Sequence, residues 1–373
     1  MTWRWCFYIN LPVGGLSALI MLVSFQTPRA AKPAPATLKE KFLQMDVIGS
    51  ALIMGAIITY ILAFQYGGQT RPWNDSVVIS LIGWFAVISV VFIMWEFVNS
   101  HNDRAMVPPR LLRDRQIWSI SLFTFFNAGT FFLSIYLLPI YFQSIGGVSP
   151  IESGVHNLPF IIALVVGTSL SGVAIGATGI ATPWLPFGAV MATVATGLFY
   201  TLDIDTTGKW IGYQILAGFG WGISFQIPIT IGQATAPPED LAMITATLLC
   251  RGTLSPFCCS PSSLLTAQPV INTIGGAIFV SGGQGAFLAT MLEKLGSDAP
   301  MVNPLLVIAT GASEIRQVFS PQLVPGIIES YMAGLKVAFA VLIGGMGMAT
   351  LATLTCSWKR LDVNAIKEAG GGL

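Results

Sequence analysis

The chain has 373 residues, of which 54% are hydrophobic and only 9% carry a charge, and its formal net charge is +1. A soluble domain carries about 25% charged residues, so this composition excludes a water-soluble globular protein. The near balance of 18 basic and 17 acidic side chains also argues against nucleic acid as a partner.

Nine segments are apolar and long enough to cross a bilayer, which takes about 20 residues. In chain order they cover 6–26, 47–66, 76–98, 117–142, 154–176, 183–202, 210–232, 270–292 and 337–357. None alternates apolar and polar residues as the strand of a membrane barrel does. The sequence therefore predicts an all-α polytopic membrane protein with about nine transmembrane helices and the lipid bilayer as its surroundings.

Lysine and arginine gather in three segments, 27–46, 99–116 and 358–373. Such clusters lie on the cytoplasmic side of a membrane. An even number of predicted spans separates them, which agrees with a count of nine and places the C-terminus in the cytoplasm. The same count places the N-terminus outside, so we expect further helices upstream of Met1.

The first apolar run also resembles a signal peptide in its position. A signal peptide has an apolar core of 7–15 residues, whereas this run covers about 20 residues between 6 and 26. Cleavage after it would leave the basic segment 27–46 outside the membrane. We therefore interpret the run as a span.

Seven stretches of the chain follow the order of motifs in one transporter family. They are WRWCFYINLPVGG (3–15), ILAFQYGGQTRPWNDS (61–76), AMVPPRLLRDRQ (105–116), YLLPIYFQSIGGVSPIESGVHNLP (136–159), KWIGYQILAGFGWGISFQIP (209–228), GGAIFVSGGQ (275–284) and VIATGASEIRQVF (307–319). They resemble the fungal drug:proton antiporters with 14 spans, a branch of the major facilitator superfamily. Within that branch the chain looks most like efflux pumps for toxins and secondary metabolites.

The resemblance implies a domain organisation in which the first span matches the sixth helix of the family. The chain would then be a partial, N-terminally truncated major facilitator fold. Its parts would be the last helix of the N-terminal bundle (1–26), a cytoplasmic loop with two linker helices (27–98), a basic cytoplasmic loop (99–116), the C-terminal six-helix bundle (117–357) and a cytoplasmic tail (358–373).

The resemblance also implies a function. It predicts efflux of small amphipathic drugs, toxins or secondary metabolites by proton antiport, without a cofactor. The expected location is the plasma membrane, with a vacuolar or other internal membrane as the alternative. Because alternating access needs two bundles, we expect the chain as written to be incomplete. The competing interpretation is a non-transporting fragment, or a half-transporter that needs a separate N-terminal half.

One segment, 247–271, departs from the family pattern. It adds roughly 20 residues, among them Pro256, Pro261 and Pro269, where the family continues as one helix. Proline removes a helical hydrogen bond and clashes with the preceding turn. Both an untrimmed intron and a genuine cytoplasmic loop are consistent with this segment.

Catalytic and metal-binding motifs are absent from the sequence. It contains no P-loop, HExxH or GxSxG motif. The adjacent Cys258 and Cys259 lack the spacing and the further ligands of a zinc site. We therefore predict that the chain binds no metal ion and is not an enzyme.

Polar side chains inside the predicted spans are the candidate cavity residues, because polar groups in lipid are costly unless they face a cavity or a partner. On the fourth span, four of them share one helical face. The full set is Asn127, Thr130, Ser134, Tyr141, Gln226, Gln233, Ser281 and Gln284. They predict either a wet cavity for an amphipathic solute or hydrogen bonds that hold the helices together.

His156 and Glu152 lie four residues apart at the predicted outer end of the fifth span. A histidine beside a carboxylate titrates in the physiological range, so the pair is a candidate for gating or protonation. The alternative is a surface helix pair of about 0.3–0.5 kcal/mol.

Small residues at GxxxG spacing predict close helix packing, because they let two helix backbones approach each other. The candidates are Gly172, Gly176, Gly218, Gly222 and Gly345, the last paired with Ala349. Asn74 begins the only glycosylation sequon, on a short loop predicted to lie outside, next to the membrane.

Overall fold

The structure is a computed structural model, and it describes residues 4–24, 47–67, 71, 73–100, 115–204, 208–235, 267–299 and 302–356. The helices in these ranges are α1 (Trp5–Tyr8), α2 (Asn10–Ser24), α3 (Val47–Tyr66), α4 (Ser76–Ser100), α5 (Arg115–Ser144), α6 (Pro150–His156), α7 (Leu158–Thr178), α8 (Trp184–Tyr200), α9 (Lys209–Thr235), α10 (Ala267–Asp298), α11 (Pro304–Thr310), α12 (Ile315–Val318) and α13 (Val324–Thr353). The extended pairing in this part of the chain is a single bridge between Gly67 and Arg71. The fold class is all-α, as predicted.

Six long helices form one bundle. Helix α9 packs against α7, α8 and α5, while α13 packs against α10, α5 and α8. The largest fully buried side chains include Trp221, Phe123, Phe199 and Phe339. The bundle is therefore closed by direct helix contacts around an aromatic interior.

Helices α3 and α4 form an antiparallel pair, which we call the linker pair. Helix α3 of this pair contacts α10 of the bundle. The turn between α3 and α4 carries an ion pair in which Nη1 of Arg71 lies 3.3 Å from Oδ2 of Asp75. Asn74, the sequon residue, is exposed in this turn. Helix α2 differs from both groups, because its described side chains are all exposed.

Helix ends in the bundle follow from local sequence. Ser149 and Glu152 form a capping box at the start of α6, with Pro150 at its first position. Helix α7 ends at Thr178 and is capped by Gly179, whose φ of +67° suits glycine. These signals fix the connections around α7.

The predicted spans agree with helices over most of the chain. Five helical segments are long and apolar enough to cross a membrane by length and composition: Ser76–Val98, Trp118–Ser144, Pro150–Thr178, Gly275–Ser297 and Val324–Thr353. Three shorter apolar helices, Asn10–Val23, Ala51–Tyr66 and Trp184–Tyr200, match further predicted spans. Helix α9, which covers the predicted span 210–232, belongs to neither group. It is 27 residues long and contains glycine, glutamine and an internal Pro228. The count of nine stays a prediction.

The boundaries of the last predicted span, 337–357, are wrong. Helix α13 begins at Val324 and ends at Thr353, with proline in its first turn. The prediction began too late because Glu329 and Lys336 interrupt the apolar run. Lys336 reaches the Asp203 carboxylate at 3.3 Å, so its charge has a partner beside the bundle.

The segment 247–271 lies mostly outside the described residues. Helix α10 begins at Ala267, so Pro269 belongs to its first turn rather than to an interruption. Proline is tolerated there because the first helical N–H groups have no partner inside the helix.

Candidate functional site

Three of the predicted cavity residues lie inside the bundle. Asn127, Thr130 and Ser134 are 2%, 0% and 0% exposed. The Asn127 Oδ1 accepts a hydrogen bond of 3.4 Å from the Ser224 hydroxyl of α9. Thr130 donates to the carbonyl of Phe126 and lies 3.5 Å from the Met346 sulfur of α13. In this structure Asn127 and Thr130 therefore connect helices. This agrees with the expectation that these polar side chains form hydrogen bonds that hold the helices together.

Tyr141 belongs to a group of hydrogen bonds around Asp203 at the C-terminal end of α5, which we call the Asp203 joint. Its hydroxyl donates to the main-chain oxygen of Asp203, 3.2 Å away, in the α8–α9 connection. The Asp203 carboxylate accepts from the Ile204 N–H at 3.0 Å and from Lys336 of α13 at 3.3 Å. Hydrogen bonding from Ile204, assisted by Lys336, holds the pKa of Asp203 below its ordinary value of 3.8.

The Asp203 joint should stabilise the bundle in a pH-dependent way. Because the folded-state pKa of Asp203 is depressed, its contribution is present above pH 3.8 and is lost as the pH falls through the folded-state pKa. Asp203→Asn should therefore lower the thermal stability of the purified protein at pH 7, by less than about 1 kcal/mol because the pair is exposed. The difference from the parent should vanish at low pH.

Lys336→Met is the matched control for this joint. It keeps the hydrogen bond from the Ile204 N–H to the Asp203 carboxylate, so it should lower the thermal stability at pH 7 by less than Asp203→Asn does. An equal loss at pH 3 and pH 7 for Asp203→Asn would contradict the assignment.

Ser281 and Gln284 of α10 lie on a partly open side of the bundle. Ser281 donates to the Ala277 carbonyl at 2.5 Å, and the Tyr60 hydroxyl of α3 lies within hydrogen-bonding reach of it. Gln284 lies within hydrogen-bonding reach of the Tyr136 hydroxyl of α5. This side therefore offers polar groups that are neither fully buried nor at a helix end.

Tyr136 is the residue of this group that the sequence analysis missed. Its side chain is 39% exposed in the C-terminal half of α5, beside Gln284. A tyrosine inside a span was the available signal, because its hydroxyl needs a partner in lipid. We call Tyr136, Gln284 and Ser281 the α5–α10 polar group.

Two glutamines of α9 were also predicted to line the cavity. Gln226 is exposed, one turn away from the buried Ile223. Gln233 lies in the last turns of α9, but its side chain is outside the described residues. The described contacts do not bring Gln226 together with the α5–α10 polar group.

Aromatic packing between α5 and α10 depends on missing side chains at glycine. The Phe279 ring packs at 5.9 Å from Phe126 and 6.2 Å from Phe125, measured between ring centroids. A Cβ at Gly129 or Gly345 would collide with the Phe279 ring. Gly345, a predicted packing glycine, therefore makes room for this ring between α10 and α13.

Gly218 and Gly222 bring α9 against α7. A Cβ at Gly218 would collide with the Phe160 carbonyl oxygen, and one at Gly222 with that of Leu164. Gly172 differs, because an added Cβ there would meet nothing within 4 Å. The structure therefore gives no packing role to Gly172, and Gly176 is partly buried in the last turn of α7.

Glu152 and His156 have separate surroundings. The Ser149 N–H donates to a Glu152 carboxylate oxygen at 3.0 Å, which completes the capping box of α6. The His156 ring lies 4.8 Å from Trp210 and 5.2 Å from Phe142, between ring centroids. Among the described residues the ion pairs join other side chains. Glu152 therefore serves mainly as a helix cap, and the gating prediction depends chiefly on His156, whose buried Nδ1 has no partner in the described part of the chain.

Within the described ranges, no cluster of three or more His, Cys, Asp or Glu side chains could hold a metal ion.

Comparison with known proteins identifies a family. The model of the Major Facilitator Superfamily matches residues 1–257. The MFS-type transporter grgE of Penicillium sp is 47% identical over 98% of this chain and 61% of its own length. The probable efflux pump gsfJ of Penicillium aethiopicum is 41% identical over 99% of this chain and 63% of its own. The dehydrocurvularin exporter of Alternaria cinerariae is 35% identical over 97% and 58%, so the chain spans about three fifths of these relatives.

Proposed function

Because the chain belongs to the Major Facilitator Superfamily, a family of multi-pass membrane transporters, we propose that it is part of an exporter of small amphipathic compounds of the secondary-metabolite type. The observation that carries this proposal is the α5–α10 polar group, and the same two helices also contribute the aromatic rings of Phe125, Phe126 and Phe279. Rings that pack on an apolar solute and a few hydrogen-bonding groups that orient it are what such a site needs. Two of the relatives are named as an efflux pump and an exporter, which supports the direction of transport.

Within this proposal the domains keep the boundaries expected from the family. Segment 117–357 is the C-terminal bundle, 27–98 holds the two linker helices, and 1–26 is the last helix of the other bundle. Transport is coupled to proton entry, and the tail 358–373 faces the cytoplasm of a plasma membrane. The packing of α5, α7, α8, α9, α10 and α13 into one bundle supports the first of these assignments.

The cargo contacts in this proposal are Tyr136, Ser281 and Gln284, with Gln226 as a further candidate on the exposed side of α9. Asn127, Thr130 and Tyr141 serve the bundle as interhelical groups, whereas the buried Ser134 hydroxyl has no partner in the described part of the chain. Their burial supports this division, since a group that is 0–5% exposed does not meet a solute without helix movement. Glycosylation at Asn74 is compatible with its exposed turn.

The alternative is a half-transporter that works only with a separate N-terminal half. The observation that favours it is the coverage of the relatives, of which this chain spans about three fifths. Alternating access requires two bundles that rock around a site between them.

An export assay in a pump-deficient yeast tests both forms of the proposal. Cells that express the chain, alone or with the N-terminal helices of a relative, should release a preloaded amphipathic fluorescent dye faster than cells with an empty vector. Gln284→Leu should raise the half-saturating dye concentration about fivefold, because it removes one hydrogen bond of about 1 kcal/mol.

Gln65→Leu is the matched control, because Gln65 is exposed in the last turns of α3. It should leave export unchanged. Export that appears only upon co-expression supports the half-transporter form. No export under either condition contradicts both forms, and an equal effect of the two substitutions contradicts the assignment of Gln284.

A further inference from the structure

A cavity of about 170 Å³ lies where α3, α4 and α10 meet. Side chains of α3 between 53 and 60 and of α4 between 85 and 93 form two of its walls. Ala277 and Ile278 of α10 form the third. The cavity thus separates the linker pair from the bundle at the place where they touch.

The lining is almost entirely apolar. Its two hydroxyl groups belong to Tyr60 and Ser89, and Ser281 lies within hydrogen-bonding reach of the Tyr60 hydroxyl. The Phe85 ring lies 5.3 Å from that of Tyr60, between centroids, and contributes a flat apolar wall. None of the lining side chains carries a charge. A charged or strongly polar ligand would therefore lose its hydration without gaining a partner here.

The depth of the cavity identifies the medium around it. Its lining residues lie near the middle of α3 (Val47–Tyr66) and near the middle of α4 (Ser76–Ser100). The middle of a spanning helix lies in the hydrocarbon core of the bilayer, which is about 30 Å thick. Ile93 at the rim is 64% exposed, so the cavity opens toward that surrounding medium.

We propose that this cavity binds the terminal part of a lipid acyl chain. An apolar cavity of about 150 Å³ accommodates a molecule such as benzene, so a slightly larger one accommodates several methylene groups. The end of an acyl chain is the apolar group that reaches this depth, whereas headgroups remain at the bilayer surface. The bound chain fills the gap between the linker pair and α10 and so holds the pair against the bundle.

Photolabelling of the full chain in nanodiscs tests the proposal. One phosphatidylcholine carries a diazirine at the end of an acyl chain, and a second carries it next to the glycerol ester. The terminal diazirine should label peptides that contain 53–60, 85–93 or 277–278, and the ester-proximal one should not. Ala56→Leu on α3 and Ala277→Leu on α10 each fill the cavity, and each should reduce this labelling several-fold.

Ala86→Leu is the matched control, because Ala86 is exposed on α4 and does not line the cavity. It should leave the labelling unchanged. Two filling variants on different helices keep the test informative if one fails to fold, which elution as a single peak verifies. Equal labelling by both lipids, or labelling that persists in both filling variants, overturns the proposal. Displacement of the lipid by a soluble amphipathic dye identifies a solute site and overturns it as well.

Discussion

Replacing Gly218 with leucine should prevent the six-helix bundle from packing. Helix α9 contacts α7 through Gly218 and Gly222, one turn apart, and even a Cβ at either position would collide with a carbonyl oxygen of α7. A backbone carbonyl cannot rotate away as a side chain does. The two helices must therefore separate along their whole contact.

The opposite side of α9 also carries a glycine that contacts α8. A Cβ at Gly220 would lie 2.6 Å from the Ala192 amide nitrogen. Moving α9 away from α7 therefore presses it against α8, so the bundle cannot absorb the change by a small shift. Overpacking of a core typically costs about 1–3 kcal/mol, and we expect Gly218→Leu to exceed this range because backbone is displaced on two sides.

Thermal unfolding of the purified protein in detergent measures the effect. Gly218→Ala should already lower the midpoint, and Gly218→Leu should give little folded protein. Gly212→Ala is the control on the same helix, because its new Cβ meets nothing within 4 Å. It should be neutral or stabilising, since alanine favours helix over glycine by up to about 1 kcal/mol. Equal stability of Gly212→Ala and Gly218→Ala would contradict this account.

The helices themselves were largely predictable from sequence. Charges and turn-forming residues bound most spans, so that α3 begins and ends where the apolar run does, at 47 and 66. The assumption that a charge ends a span failed at α13. Lys336 lies within this helix, because Asp203 in the α8–α9 connection supplies a partner for its charge. A partner that is distant in sequence leaves no trace in a local window, so the early start of α13 was not predictable in this way.

The candidate site was harder to predict than the helices. Periodicity groups Asn127, Thr130 and Ser134 on one face of α5, but it cannot tell whether that face points to the bundle interior or to an open side. In a membrane protein both sides of a helix are apolar, so hydropathy does not separate them. Tyr136 and Gln284 are joined only because α5 and α10 pack side by side, which is a tertiary fact.

Trp221 is the largest fully buried side chain of the bundle, and it combines two opposing effects. Its ring lies 5.7 Å from Phe160 of α7 and 6.1 Å from Phe131 of α5, between centroids, in edge-to-face arrangements. Its Nε1–H has no partner in the described part of the chain. Burying an unpaired donor costs about 1–3 kcal/mol, so packing of the ring must outweigh that cost.

Trp221→Ala should therefore destabilise the protein by about 3–5 kcal/mol, the usual cost of emptying a large aromatic site. Trp221→Phe should cost far less, because it keeps most of the ring contacts and removes the unpaired N–H. Thermal unfolding in detergent, with Trp84→Ala as a control at a 60% exposed position of α4, separates the two effects. If Trp221→Phe were as damaging as Trp221→Ala, the indole N–H itself would be needed, and packing would not be the main contribution of this residue.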